Sequence, residues 1–259
     1  MDLEGQFKQL RRWNIGAAVL HFVSGIAMVA LSTDMKVPVM TSFLKFNTAT
    51  QSLIPDQQTW FELHLGILVA SFLFLSAIAH MIIATGYNKK YNEGLEKGIN
   101  KARWVEYAFS SSVMIVVISM LVGIYDAAAL IPIIFVNATM ILFGWMMELH
   151  NQTLRQAQGK PQTNWTAFVF GCIAGIGPWI AIALYLASPG SQDNPPTFVY
   201  WIFVSIFVFF NIFALNQYLQ YKKVGKWSDY LYGERAYIIL SFVAKSLLAW
   251  QVFAGTLRP

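Results

Sequence analysis

A lysine inside a long apolar segment near the C-terminus carries the most specific chemistry in this sequence. Lys245 stands in the run Ser241-Phe-Val-Ala-Lys245-Ser-Leu-Leu-Ala-Trp250. If its helix starts near Arg235, a rise of about 1.5 Å per residue places the lysine about 15 Å along it, at the centre of a bilayer. Burial favours the neutral amine, which can form a Schiff base with an aldehyde. Ser241, four residues earlier on the same helical face, can hydrogen-bond near the nitrogen.

Glu106 is the acid that the sequence offers to balance a positive charge on Lys245. Arg103, Glu106, Tyr107 and Ser110 recur at i, i+3, i+4 and i+7, so they share one helical face. A protonated Schiff base needs a counterion, and the predicted spans contain no other carboxylate near this depth. Two alternatives stay open: a structural Lys–Glu pair, and a solvated glutamate near the membrane edge.

Two histidines, His21 and His80, fall in the same half of the predicted membrane region as Glu106. Ionisable residues within a span are costly and are therefore functional candidates. A buried histidine is often a hydrogen-bonded core residue. Two histidines at the depth of a buried acid also fit a proton-accepting cluster, because histidine titrates near neutral pH.

The opposite half of the predicted spans is poor in titratable groups. Beyond Lys245, the spans that carry His21, Glu106 and Lys245 offer none until Asp126 and Arg258 at the rim. A proton leaving the lysine nitrogen would find no titratable relay on that side. This argues against an efficient proton pump but does not exclude a channel, in which water would carry the proton.

Aromatic side chains on the last three predicted spans favour a pocket for an elongated apolar ligand. The alternative is that these side chains face lipid or the protein core. The candidates are Pro178, Trp179, Phe209, Phe210, Asn211 and Trp250.

The elements that must position these residues are seven apolar segments of about 20 residues, the length that crosses a bilayer as a helix. Hydrophobic residues make up 56% of the 259 residues and charged residues 12%, against about a quarter charged in soluble domains. We therefore predict an all-α membrane protein with one seven-helix domain over 1–259. The predicted spans, A to G, are 13–32, 65–85, 104–125, 127–147, 165–187, 197–219 and 236–257.

The distribution of lysine and arginine predicts the orientation of these spans. Of the 18 such residues, 14 lie in segments on the N-terminal side, three on the opposite side, and Lys245 lies in span G. The positive-inside rule then places the N-terminus in the cytoplasm and the C-terminus outside. The net charge of +5 belongs mostly to the cytoplasmic face, so it implies lipid headgroups and no nucleic acid. The external loop 33–59 contains β-branched residues and a partly alternating apolar and polar pattern, which predicts a short hairpin.

The residues around these candidates resemble the heliorhodopsins, a family of retinal-binding seven-helix proteins with inverted topology. The resemblance covers essentially all the spans and is weakest at the N-terminus and in the A–B loop. It rests on Arg103-Trp-Val-Glu-Tyr-Ala-Phe-Ser-Ser-Ser-Val-Met-Ile115, Asn137-Ala-Thr-Met-Ile-Leu-Phe-Gly-Trp145, Gly171-Cys-Ile-Ala-Gly-Ile-Gly-Pro-Trp179, Gly233-Glu-Arg-Ala-Tyr237 and Ala244-Lys245-Ser246.

The resemblance implies all-trans retinal as the cofactor, bound to Lys245 as a protonated Schiff base with Glu106 as counterion. His21 and His80 would belong to the polar cluster that accepts the proton, and Ser76 keeps the family's spacing of four residues before His80. A cytoplasmic network would comprise Arg103, Glu148, Tyr230 and Glu234. The remaining cofactor-binding candidates are Ser241, Ser76, Tyr107, Ser110, Asn137, Met140, Pro178, Trp179, Phe210 and Trp250.

The resemblance further implies a homodimeric light sensor that is not an enzyme and does not pump ions. Isomerisation from all-trans to 13-cis would drive loss of the Schiff-base proton and a conformational signal to a cytoplasmic signalling or enzyme partner. Two other hypotheses remain. The first is a light-gated ion channel or transporter, as some viral relatives conduct ions. The second is a retinal-free scaffold in which Lys245 forms only a structural ion pair.

Overall fold

The computed structural model describes residues 2–158, 163–187 and 195–258. Seven of its helices are long and apolar enough to cross a membrane, which indicates a multi-pass membrane protein and confirms the predicted fold class. The elements are α1 Leu3–Leu31, β1 Lys36–Asn47, β2 Ser52–His64, α2 Leu65–Ala84, α3 Asn88–Glu96, α4 Lys101–Leu121, α5 Ala127–Gln158, α6 Thr166–Leu186, α7 Thr197–Lys222 and α8 Tyr230–Val252. A 3₁₀ turn, Gly225–Ser228, precedes α8, and a π-helical turn, Phe253–Leu257, follows it.

Several helices extend beyond the predicted spans on the N-terminal side of the bundle, which we call the inner end. Helix α1 begins at Leu3, where the Asp2 carboxylate accepts a hydrogen bond from the Gly5 amide at 3.1 Å. Helix α5 continues to Gln158, and α8 begins at Tyr230 after the capping residue Asp229. Hydropathy marks the lipid thickness, whereas capped polar turns continue each helix into water.

The short helix α3 was not predicted. It is polar and lies in the B–C loop, so it has no apolar stripe long enough to reveal it. Its buried side chains, Tyr91 and Leu95, pack into a small apolar cluster with Leu10 of α1 and Leu231 of α8. Burial and the nearby Glu234 raise the pKa of the Tyr91 hydroxyl, so it remains a neutral hydrogen-bonding group.

The predicted hairpin in the A–B loop is confirmed and is longer than expected. Strands β1 and β2 are antiparallel, with Lys36 opposite His64 and Asn47 opposite Ser52. The Met40 amide donates to the Tyr125 carbonyl at 2.8 Å, which anchors the hairpin to the end of the bundle opposite the inner end.

Helix α4 is the most buried of the seven spans, and it packs against α2 and α5. Its outer half supplies Ile115, Val117 and Ile118 to the main apolar core. Its inner half carries its charged residues and follows the capping residue Asn100, whose side chain accepts from the Arg103 amide at 3.0 Å. This central position brings Glu106 close to α2 and α8.

Candidate functional site

Lys245 and Glu106 form a buried ion pair between α8 and α4. The lysine Nζ lies 2.7 Å from Glu106 Oε1, and the two side chains are 4% and 5% exposed. A buried charge of this kind is tolerated only when it is paired and hydrogen-bonded. The structure therefore places together the two residues that the sequence singled out.

Two serines complete the polar environment of this pair. Lys245 Nζ donates to Ser241 Oγ at 2.7 Å, and Ser76 Oγ donates to Glu106 Oε1 at 2.6 Å. The ring centroid of Tyr107 lies 5.1 Å from Nζ, within cation–π range. Both charged groups are thus oriented by fully buried hydroxyls, which preorganises the lysine nitrogen.

A cavity with an empty volume of about 700 Å³ adjoins Lys245. Its lining is mostly apolar, and among the described residues that line it Lys245 is the one amine. Six sequence candidates line it: Tyr107, Ser110, Met140, Phe210, Ser241 and Lys245. The remaining lining residues had no signal in the sequence stronger than helical spacing. They are Trp104, Ser111, Met114, Ile141, Gly144, Phe213, Ala214, Gln217, Tyr237 and Ala244.

Besides Glu106 and Ser76, which lie at the ion pair, six sequence candidates do not line this cavity: Asn137, Pro178, Trp179, Phe209, Asn211 and Trp250. Asn211 is exposed and donates to the Phe207 carbonyl at 2.8 Å. Asn137 donates to the hydroxyls of two α4 serines, Ser111 at 2.8 Å and Ser112 at 3.1 Å. Pro178 and Trp179 are buried in α6, and the Trp179 ring packs behind the cavity wall. Trp250 is 37% exposed and packs on Phe253, because it lies five residues beyond Lys245 and faces another side of α8.

Two of the missed lining residues show how closely α4 and α5 approach. A Cβ at Gly144 would overlap the indole ring of Trp104, so only glycine leaves room for that ring. The Trp104 Nε1 in turn donates to Glu148 Oε2 at 2.6 Å. Trp104 therefore forms part of the cavity wall and also contacts the polar groups at the inner end.

The two histidines stack between α1 and α2 on the inner side of the ion pair. Their ring centroids are 5.9 Å apart and the planes are inclined by 14°. His80 Nδ1 lies 2.7 Å from Asn14 Oδ1. Since the amide oxygen only accepts, His80 Nδ1 carries the hydrogen and a neutral His80 has its lone pair on Nε2. Among the described residues, His80 Nε2 and both nitrogens of His21 have no hydrogen-bond partner.

Arg103, Glu148 and Glu234 form a second buried charge cluster at the inner end, which we call the inner cluster. Arg103 pairs with Glu148 at 2.6 Å and also with Glu234. Its guanidinium carbon lies 4.4 Å from the Trp104 ring centroid and 3.8 Å from that of Tyr237. With both carboxylates ionised, the three residues carry a formal charge of −1.

Two further side chains complete the inner cluster. Tyr230 donates to Glu148 at 3.2 Å, as expected for a member of the network. Asn100, which the sequence analysis missed, donates from its backbone to Glu148 at 2.9 Å and from its side chain to Glu234 at 2.6 Å. Asn100 caps α4, and the preference of asparagine for helix N-caps is the sequence signal that could have identified it.

A small cavity connects the two charged groups. Its lining includes Glu106 and His80 on one side and Arg103 and Glu234 on the other, with an empty volume of about 320 Å³. His80 Nε2, Arg103 Nε and Tyr237 Oη belong to residues that line it, and none has a partner among the described residues. Polar cavities with several unpaired groups favour ordered water. These unpaired groups therefore lie between the Lys245 pair and the inner cluster.

The fold resembles solved microbial rhodopsin structures. The crystal structure of the light-driven proton pump LR (Mac) from Leptosphaeria maculans superposes with a TM-score of 0.64 at 15% identity, covering 95% of this chain and 94% of that one. The transmembrane domain of the Salpingoeca rosetta rhodopsin phosphodiesterase gives 0.65 at 13% identity, covering 97% and 86%. At such identities the likeness shows the fold alone.

The sequence comparisons are more specific than the fold. None of the curated protein sequences compared with the chain matches it. The sequence model of the heliorhodopsin family, in contrast, matches residues 10–257, nearly the whole chain. This match and the rhodopsin fold show that the chain belongs to the heliorhodopsin family.

Proposed function

We propose that this chain is a light-sensing retinal protein that does not pump ions. Membership of the heliorhodopsin family implies a retinal chromophore. One observation carries the assignment to residues: a buried lysine, paired with a buried carboxylate, adjoins an apolar cavity of about 700 Å³. A merely structural ion pair would not require an apolar cavity beside the lysine.

The residues present fit all-trans retinal. The aldehyde requires an amine, which Lys245 supplies, and the apolar polyene requires a water-poor wall, which Trp104, Phe210 and Phe213 supply. When bound, retinal supplies light absorption and photoisomerisation. Glu106 holds the compensating negative charge beside the lysine nitrogen, and Ser76 and Ser241 fix the positions of both groups.

We propose that the proton of the lysine nitrogen is accepted on the inner side, where the two histidines lie. His80 Nε2 and His21 are buried beside Glu106 without partners among the described residues, so they can take up a proton. The connecting cavity continues from His80 to the inner cluster, whose charge balance a proton would change. We therefore propose that light alters the inner end, where a signalling or enzyme partner would bind.

The remaining parts of the proposal concern the membrane and the assembly. The excess of Lys and Arg at the inner end favours a cytoplasmic N-terminus and an external C-terminus. We also propose a homodimer and a sensory, non-enzymatic role. The hairpin between α1 and α2 exposes Phe43, Leu44 and Trp60, which supports an assembly at the external end.

Ion movement under light separates this function from its rival. We expect the protein reconstituted into vesicles to show a transient absorbance change without net proton transfer across the membrane. A photocurrent in voltage-clamped cells that disappears with Lys245→Ala would instead establish light-gated transport. An unchanged current in that variant would show that the current does not pass through this protein.

A further inference from the structure

A second pocket at the inner end is separate from the Lys245 cavity, and the two share no lining residue. It lies where the ends of α5 and α7 meet the 3₁₀ turn and the start of α8. Its empty volume, which includes space open to solvent, is about 560 Å³. We call it the inner-face pocket.

The rim of the inner-face pocket carries two cations, Arg155 and Lys223. Both are exposed, and among the described residues neither lies within 4.0 Å of a carboxylate. Lys223 has φ 54°, in the left-handed region where glycine is the usual residue at a helix end. Arg155 packs against Gly98, whose added Cβ would lie 3.0 Å from the guanidinium. Two unpaired cations around one opening attract an anionic group, and arginine matches phosphate well.

Two residues that line the pocket, Gln220 and Tyr221, have buried polar atoms without partners among the described residues. Gln220 is 6% exposed, and its Nε2 donates to the Tyr230 carbonyl at 3.0 Å. Its Oε1 and the Tyr221 hydroxyl are both buried and unpartnered among the described residues. Such atoms are costly unless something hydrogen-bonds to them. An amide oxygen only accepts, so the missing partner is a donor such as a hydroxyl or amine.

One wall of the pocket is an indole held in a fixed position. Trp227 Nε1 donates to Asn216 Oδ1 at 2.7 Å, and the ring packs edge-on against Tyr232 with centroids 5.1 Å apart. A fixed aromatic wall beside an opening favours a planar group on the ligand.

We propose that the inner-face pocket binds a small soluble organic phosphate that carries a planar ring and hydrogen-bond donors, as a nucleoside monophosphate does. Its phosphate lies between Arg155 and Lys223, its planar ring against Trp227, and its hydroxyl or amino donors on Gln220 and Tyr221. The chemistry of a phosphate monoester is shared by an anionic phospholipid headgroup. The planar wall and the buried acceptor favour the soluble ligand.

The test is calorimetric titration of the full chain in neutral phosphatidylcholine nanodiscs. The probe is adenosine 5′-monophosphate, compared with inorganic phosphate and with adenosine. We expect saturable binding of the monophosphate and weaker binding of both fragments. The double variant Arg155→Gln/Lys223→Gln should weaken it by about tenfold or more, because two charge-assisted contacts are lost. Tyr221→Phe should weaken binding of the monophosphate but leave binding of inorganic phosphate unchanged.

A matched control shows whether position matters beyond charge. Lys222→Gln/Lys226→Gln removes two neighbouring cations that do not line the pocket, and it should keep the wild-type affinity. Absence of saturable binding, equal loss in both double variants, or equal affinity for inorganic phosphate would overturn the proposal. So would abolition of binding by phosphatidic acid in the nanodiscs, which would assign the site to a lipid.

The pocket also contacts the inner cluster, so occupancy should affect the photoresponse. Gln220 Nε2 lies 3.3 Å from Glu234, and Tyr230 lines the pocket while donating to Glu148. This second effect rests on the proposed photoreceptor function, whereas binding does not. Binding of the monophosphate by a colourless protein would therefore support the site and refute the photoreceptor. A coloured protein that does not bind the monophosphate would support the photoreceptor and refute the site.

Discussion

Replacement of Glu106 by glutamine tests the counterion most quantitatively. Coulomb attraction across the 2.7 Å from Lys245 Nζ to Glu106 is about 6 kcal/mol at an effective dielectric constant of about 20. Removing one partner of a buried pair typically costs about 3–5 kcal/mol. We expect this smaller range, because the new amide and the hydroxyl of Ser241 still solvate the cation. A free-energy change of about 3–5 kcal/mol corresponds to a shift of about 2–4 pH units in the pH at which the lysine nitrogen loses its proton.

The assay is a spectral pH titration of the retinal-reconstituted protein. Loss of the carboxylate destabilises the protonated nitrogen, so the visible band should disappear at a pH about 2–4 units lower than in the wild type. At low pH the band should also lie at longer wavelength. Glu234→Gln is the control, because Glu234 contacts Arg103 and Asn100 rather than Lys245. Unchanged band position and titration midpoint in Glu106→Gln would refute the counterion assignment.

Three further predictions concern the cavity wall and the inner polar groups. Gly144→Ala should reduce chromophore yield and thermal stability, because the new methyl displaces the Trp104 ring, whereas Gly16→Ala in open space should change neither. Arg103→Gln should lower the free energy of unfolding by about 3–5 kcal/mol, since two buried carboxylates lose their cation, and a melting temperature equal to wild type would contradict this. His80→Gln should keep the visible band but reduce, in flash photolysis, the light-induced near-ultraviolet absorbance of the deprotonated Schiff base. An unchanged near-ultraviolet absorbance would exclude His80 as the proton acceptor.

The sequence predicted the depth of the chemical groups better than their rotation about each helix. Lys245 and Glu106 were found because ionisable residues are rare in apolar spans and depth follows from counting residues. Trp250 was assigned to the pocket from its helix alone, and it lies half-exposed on another face. Successive residues of a helix are rotated by about 100°, so an error of one residue in helical position is enough to move a side chain from the cavity to the lipid.

Neutral polar residues were the hardest to predict. Asn14 fixes the His80 tautomer, and Asn100 joins both carboxylates of the inner cluster, yet asparagine at a helix end or in an apolar span has many ordinary roles. Their importance follows only from which helices pack together. The roles assigned to Lys245, Glu106 and the histidines remain predictions for experiment.

Covalent attachment of retinal to Lys245 is the central claim, and a visible spectrum tests it most directly. The protein would be expressed with all-trans retinal, purified in detergent and treated with hydroxylamine, beside Lys245→Ala and the control Lys101→Ala. We expect a visible band in the wild type and in Lys101→Ala that hydroxylamine bleaches, and no band in Lys245→Ala. A folded, monodisperse and colourless wild-type protein would contradict it and favour a retinal-free scaffold.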